Sequence, residues 1–243
     1  MALVHGIPII PTDKISMLLD VENPVSYPGS GSTWTCLVDG RNFQATGGTQ
    51  TPLTTQDGNK CFQFNGSGFW ESSENTDGVD MGGDCTLLMW IYQEDNTERD
   101  TIFEKVGPLY QSYQHEIAVT CEVGFSNVQN YTWYSRFSPN YDTASTAADF
   151  SNDEWHLLGI KMSTGRTSAA RTGFYSRNGA AWAANYNSRS NTALVSAGNI
   201  RVGSGYAGEM ENGKIAMVAT YNKMLSDLEV EGFYNATRKR LGL

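Results

Sequence analysis

Charge, histidine and long apolar runs are all scarce in this 243-residue chain. Charged residues make up 18% of it, and only three residues are histidine. No stretch approaches the roughly 20 apolar residues that a helix needs to cross a bilayer, so no membrane span is expected. Cys36, Cys61, Cys85 and Cys121 are widely spaced with no C-x-x-C, which argues against a zinc knuckle or redox dithiol. Lys and Arg total 17 against 26 acids, for a formal net charge of −9. A nucleic-acid surface needs clustered bases, so no nucleic-acid partner is expected. The opening MALVHGIPIIPTDK has no basic leader, and Pro8 and Pro11 break its short apolar run, unlike a secretion signal. The expectation is synthesis in a cytoplasm with reduced cysteines packed as small apolar groups, although the spacing leaves a disulfide open.

What the chain has in quantity is glycine (25), tyrosine (12), phenylalanine (10) and tryptophan (6). This is the composition of a turn-rich β protein. Short strand-like segments recur between turn signals: ISMLL, CFQF, CTLLMWIY, TIFEKV, HEIAVTCEVGF, YTWYSRF, WHLLGIKM, GFYSR, NIRV and KIAMVATY. The continuous apolar run of 85–92 suits a strand buried on both faces or central in a sandwich. Asn178-Gly179 is a two-residue hairpin signal. VENPVSYPGSGSTW reads as an ordered surface loop. One helix is expected after Leu225, with Ser226 as N-cap, Glu229 closing a capping box, and Arg238, Lys239 and Arg240 near its C-terminus ahead of Gly242. Trp90 and Trp155 are expected to anchor the core and Trp34 to cover one end. No linker divides the chain, so the expected organisation is an N-terminal arm, 1–13, and one domain, 14–243.

Five segments, in order, resemble concanavalin A-like, laminin-G-like sandwich domains. TLLMWIYQEDN…TIFEKV is similar to that family's "TisaWv…ti…k" strand pair. FSNDEWHLLGIKM…GFYSRNG is similar to its "W-hhva…lyvdG" segment, and NIRVGSGYAGEMENGKIAMVATYNKMLSDLEVEGFYNA to its closing segment. ISMLLDVENPVSYPGSGSTW and YNATRKRLGL resemble the two ends of versions carried by tailed bacteriophages, especially marine ones infecting cyanobacteria. After Trp34 the chain departs from the family's usual "dLsGngnnGtl" and reads TCLVDGRNFQATGG. The resemblance implies an all-β fold: a two-sheet antiparallel jelly-roll sandwich with a short C-terminal helix, its first and last strands paired. It further implies a non-enzymatic structural protein on the virion surface, as capsid decoration or a fibre or tail accessory. Its partners would be other virion proteins, met in multiple copies per particle and partly through the arm.

Little in the chain suggests catalysis. Glucanases of this fold carry E-x-D-x-x-E or E-x-D-x-E on a strand, and the nearest string is DLEVE, 227–231. There the expected helix makes Asp227 and Glu231 neighbours and turns Glu229 away. His5, His115 and His156 accompany no G-x-S-x-G elbow. The acids concentrate between Glu71 and Glu104, where ten acids face Arg99 alone, and loops solvated by unpaired acids are the expectation. Asp77, Asp80 and Asp84 are the best oxygen ligands for a calcium ion, and no other cofactor is implied. Contact with a host polysaccharide would fall to aromatics set among polar groups: Tyr110, Tyr113, Tyr131, Trp133, Tyr141, Trp182 and Tyr186.

Overall fold

The computed structural model describes residues 9–47, 53–56, 59–72, 76, 78–81, 83–94, 100–106, 115–123, 128–137, 140–145, 150–163, 172–184, 198–205 and 208–243. In chain order the first strands are β1 (Ile15–Asp20), β2 (Thr33–Thr35), β3 (Asn42–Thr46), β4 (Leu53–Gln56), β5 (Asn59–Phe64) and β6 (Phe69–Ser72). There follow β7 (Cys85–Gln93), β8 (Asp100–Val106), β9 (His115–Val123), β10 (Val128–Phe137), β11 (Asn140–Ser145), β12 (Phe150–Ser151) and β13 (Trp155–Ser163). The last are β14 (Thr172–Arg177), β15 (Ala183–Ala184), β16 (Ile200–Val202), β17 (Ser204–Gly205), β18 (Gly208–Glu209) and β19 (Gly213–Tyr221). Helix α1 (Asp227–Thr237) and a 3-10 turn (Arg238–Leu241) complete the order.

Two antiparallel sheets hold all of these strands but β17 and β18, which form a separate hairpin, as the jelly-roll expectation requires. Sheet A runs β15-β14-β13-β7-β19-β5-β4, with β1 also paired to β19. Sheet B runs β11-β10-β9-β8-β16-β6-β3-β2, with β12 paired to β10. The first and last strands are neighbours, Leu18 opposite Ala219, and Ser16 and Thr220 share a 2.8 Å hydroxyl hydrogen bond. Asn178 and Gly179 both take positive φ (52° and 74°), and the Ala180 N–H donates to the Arg177 carbonyl. The chain reverses there, though the β14–β15 ladder begins further out, at Tyr175 opposite Ala183.

Period-2 alternation along the strands builds the inter-sheet core. Phe43, Trp34, Trp70, Ile200 and Val202 come from sheet B; Phe62, Phe64, Met89, Ile91 and Leu158 come from sheet A. Trp34, expected at one end, is instead fully buried at the centre. Its ring meets Phe62 edge-on at 4.8 Å and Trp70 at 5.9 Å. Tyr27 joins them 4.9 Å from Phe62, so the expected surface loop reaches into the core. Each such pair is worth about 0.5–1.5 kcal/mol beyond simple burial.

A second apolar layer explains why β7 and β19 lack alternation. Trp90, Trp155, Leu157, Met217 and Tyr221 face outward from sheet A and are covered by Val230 and Phe233 of α1, with Ile10 packed alongside. Trp90 and Trp155 are thus buried as expected, but beneath the helix rather than between the sheets. Ser226 caps α1, its hydroxyl accepting from the Glu229 N–H while the Glu229 carboxylate accepts from the Ser226 N–H at 2.9 Å. Of the basic residues that follow, Arg240 pairs with Asp20 of β1. Residues 9–13 lie against this same side: the Tyr221 hydroxyl donates to the Pro11 carbonyl at 3.0 Å and Lys223 pairs with Asp13 at 2.9 Å. Residues 1–8 of the arm lie outside the described residues. All four cysteines are buried thiols, none of them in a disulfide. Burial pushes the Cys61 thiol up to about 11. Among the described residues no helix is long and apolar enough to cross a membrane.

Candidate functional site

The short strands of sheet B set inward apolar residues beside outward polar ones. In Phe69-Trp70-Glu71-Ser72 the indole points in and Glu71 out; in Ile200-Arg201-Val202 the guanidinium points out. The registers then align the outward residues across the sheet. Thr33 stands opposite Gln44, Gln44 opposite Glu71, Glu71 opposite Arg201, and Arg201 opposite Glu104. Ala118, Tyr134 and Thr143 continue the same line through β9, β10 and β11. With strands about 4.8 Å apart, the row spans roughly 34 Å.

Two pairs of its members are tied by their side chains. The Arg201 Nε donates to Glu71 Oε1 at 2.9 Å, both side chains mostly buried. The Gln44 Nε2 donates to Thr33 Oγ1 at 3.2 Å, and one strand position along, Thr35 donates to Asn42 Oδ1 at 3.1 Å. The Arg201 guanidinium lies 5.5 Å from the Phe69 ring centroid. The β17–β18 hairpin closes over the row beside β8. A Cβ on Gly205 would sit 2.4 Å from Thr101 and 2.8 Å from the Glu104 carboxylate, so only glycine lets the backbone approach so closely.

Chemically the row offers fixed donors and acceptors beside an aromatic ring. Glu71 and Glu104 stand two strands apart, roughly 10 Å at the backbone, with Arg201 between them. A glycosidase pair keeps that intervening space for the glycosidic oxygen or a water. The acids of DLEVE are helical, and two of the three are engaged. Asp227 Oδ1 accepts the Trp182 N–H at 3.1 Å, and Glu229 caps Ser226 and pairs with Lys223 at 2.6 Å. Burial raises the Glu229 carboxyl, but the Lys223 ammonium and the Ser226 groups outweigh it and hold the carboxyl below its ordinary value.

The expectation of unpaired, solvated acids between residues 71 and 104 is corrected at four positions. Glu71 pairs with Arg201 and Glu94 with Lys214 at 2.7 Å. Asp100 and Glu104 are buried in β8, and Asp100 accepts the Glu211 N–H at 2.9 Å. Partners distant in the chain supply what the local sequence lacks.

Of the aromatics proposed for sugar contact, Tyr110, Tyr113 and Tyr186 lie outside the described residues. Tyr131 and Trp133 stand in β10 opposite Cys121 and Val119, two residues of the inter-sheet core; Tyr141 stands in β11 opposite Arg136. Trp182 is half-buried over sheet A, where a Cβ on Gly159 would sit 2.9 Å from its ring. The Lys161 Nζ lies 4.5 Å from its centroid and donates to the Leu225 carbonyl at 2.9 Å. Burial lowers the Lys161 ammonium, opposed by Asp227 and Glu229. Of those described, Trp182 lies on sheet A, while Tyr131, Trp133 and Tyr141 belong to strands of sheet B. Of the calcium candidates, Asp77 lies outside the described residues. Asp80 Oδ1 accepts the Gly83 N–H at 3.1 Å, and Asp84 is exposed just before β7. Among the described residues no three His, Cys, Asp or Glu side chains converge on a metal position. The polar row itself escaped the sequence; its only trace is the inward–outward alternation of 69–72 and 200–202.

No family model and no curated protein matches this chain. Solved structures do resemble it. A Trypanosoma rangeli sialidase in complex with 2,3-difluoro-KDN superposes with a TM-score of 0.63 at 10% identity, over 95% of this chain and 34% of that one. The binding domain of botulinum neurotoxin DC, in complex with rat synaptotagmin II, gives 0.63 at 14% identity, over 91% of this chain and 51% of that one. Domain 4 of AbnA, a GH43 extracellular arabinanase from Geobacillus stearothermophilus in complex with arabinotriose, gives 0.62 at 14% identity, over 91% and 98%. The chain thus spans about a third of the sialidase and half of the toxin chain. At such identities the likeness is one of fold, the β-sandwich.

Proposed function

We propose that this chain is a non-enzymatic adhesion domain, exposed on the surface of a tailed-phage particle as capsid decoration or a fibre or tail accessory. The observation that carries the reading is the contrast between its two faces. Sheet A is sealed under α1 and the 9–13 segment, while the described half of sheet B carries a fixed polar row. Docking on other virion proteins would bury about 1,200–2,000 Å2, or rely on many weaker contacts. The particle assignment rests on the resemblance of both ends of the chain to phage versions of the fold. Mass spectrometry of purified particles tests it: hundreds of copies fit decoration, a few fit a tail accessory, and absence refutes it. Deleting residues 1–11 tests the arm, since unchanged incorporation rules out anchoring through it.

A second reading is a lectin-like binder of host surface polysaccharide. The likeness to AbnA domain 4 supports it, because it spans nearly all of a domain solved with a bound sugar. A glycan array followed by titration with purified host polysaccharide is the test, and a lack of saturable binding leaves the domain a scaffold. Glycoside hydrolysis ranks last, given how Asp227, Glu229 and Glu71 are engaged.

A further inference from the structure

Residues 9–13 reach their place on sheet A by folding back from the start of β1 through a tight turn. Lys14, which makes the turn, takes a φ of 60°, a left-handed backbone conformation that costs any residue with a side chain. The hydrogen bond across the turn is long, the Ile15 N–H donating to the Thr12 carbonyl at 3.4 Å. On its far side the chain is fixed: the Lys14 carbonyl accepts the Asn222 N–H at 2.9 Å, and β1 begins at the next residue. A strained hinge thus joins a fixed strand to a short strap.

The contacts that hold the strap are ones a second copy of the chain can supply. The Tyr221 hydroxyl donates to the Pro11 carbonyl at 3.0 Å, Lys223 pairs with Asp13 at 2.9 Å, and Ile10 packs on the apolar layer beneath α1. Seat and exit lie side by side, because Ile15 stands opposite Tyr221 in the β1–β19 ladder. Five extended residues span roughly 17 Å, so two copies related by a two-fold axis near Ile15 can each lay the strap on the other. Apolar surface is exposed at the strap's outer end. A Cβ on Gly232 would stand 3.6 Å from the Ile9 carbonyl oxygen, and Leu228, one helical turn earlier, shares that face of α1. Ile9 is 69% exposed and Leu228 79%, and a copy docked at this place covers both.

We propose that residues 9–13 are exchanged between two copies of this chain, each strap opening at Lys14 and taking the same seat on the other copy. Exchange keeps every strap contact, removes two left-handed hinges and covers Ile9 and Leu228. It concerns copies of this chain alone and does not depend on the particle reading. A strap seated on its own sheet competes at an effective concentration in the millimolar range, and release of two hinges favours exchange by about 10–100-fold, so the dimer Kd should be about 10–100 μM. Sedimentation equilibrium of the full chain from about 1 μM to about 1 mM reads it. Lys14→Gly, at ease at positive φ, should weaken the dimer at least about tenfold, whereas a dimer formed through any other surface would not respond. Asp13→Lys and Lys223→Asp each set like charges together within one copy, but in a mixed exchanged dimer both pairs are opposite in sign. Native mass spectrometry of the two variants, mixed with one of them 15N-labelled, should show mixed dimers outnumbering like dimers about threefold, against parity for random pairing. If circular dichroism shows that Lys223→Asp does not fold, Lys14→Gly decides alone. A chain that stays monomeric across the range, a dimer that Lys14→Gly leaves as tight, or mixed dimers at parity overturns the proposal.

Discussion

The indole of Trp90 and the hydroxyl of Thr237 join sheet A to the last turn of α1 through a 2.8 Å hydrogen bond. Thr237 donates its own proton to the Phe233 carbonyl at 2.7 Å, and the Trp90 ring stacks on Tyr234 at 5.6 Å. Helix docking here is directional as well as apolar. A buried N–H without an acceptor costs about 1–3 kcal/mol, so the threonine cannot be exchanged freely for a hydrocarbon.

Thr237→Val tests that point. The volume is kept and the acceptor is lost, so stability should fall by about 1–3 kcal/mol and Tm by roughly 2–10 °C. Thermal denaturation followed by circular dichroism reads it. An unchanged Tm shows that packing alone seats the helix.

Gly159→Ala should be destabilising although the substitution adds one methyl to a strand. That methyl would stand 2.9 Å from Trp182, 3.2 Å from Leu88 and 3.2 Å from Ser176. Overpacking of this kind costs about 1–3 kcal/mol. Urea unfolding gives the loss, and a displaced Trp182 should appear as a change in near-ultraviolet dichroism.

His156 predicts how the fold responds to acid. Burial lowers its imidazole below the ordinary 6.5, against the Ser151 carbonyl and Glu154, which favour the proton; Arg177 adds to the lowering. The unfolded chain therefore takes the proton first as pH falls. Stability is complete above about pH 6.5 and declines below it toward the folded value, by at most about 1.4 kcal/mol per pH unit. Urea midpoints between pH 7.5 and 5 should fall less steeply in His156→Gln than in the natural chain.

Arg201→Met keeps the stem that lies over Phe69 and removes the guanidinium from between Glu71 and Glu104. The expected loss is about 1–2 kcal/mol, with Arg201→Lys recovering only part, because an ammonium cannot reproduce the fork. Chemical denaturation of the three proteins in parallel decides it.

Chelation should leave the protein unaffected. Asp80 is occupied by the Gly83 N–H, and its loop is tied down by Asn222, whose side-chain amide donates to the Gly78 carbonyl at 2.9 Å. Melting curves with EDTA and with added calcium are expected to coincide. A rise with calcium would return Asp77, Asp80 and Asp84 to consideration as ligands.

How far the sequence reached depended on the length of the segment being read. The nine-residue strands β7, β13 and β19 stand out as apolar runs, and the S-x-x-E box sets the start of α1. Short segments carry too few periods for alternation to register: β2 has three residues and β6 four, so nothing local marks Trp34 or Trp70 as central. Trp90 shows a different limit. Its burial follows from its apolar neighbours, but which side of the sheet buries it depends on the helix far along the chain. The polar row lay furthest from reach. Thr33, Gln44, Glu71, Glu104 and Arg201 become neighbours only through register, which loops of irregular length conceal.

The unlike faces of the sandwich bear on how such a domain can change over time. Hydrocarbon packing under α1 restrains substitution on one side, since each residue there serves both sheet and helix. The outward positions of β2, β3, β6 and β16 answer chiefly to one another, so side chains there can be exchanged in compensating sets while the framework behind them stays as it is.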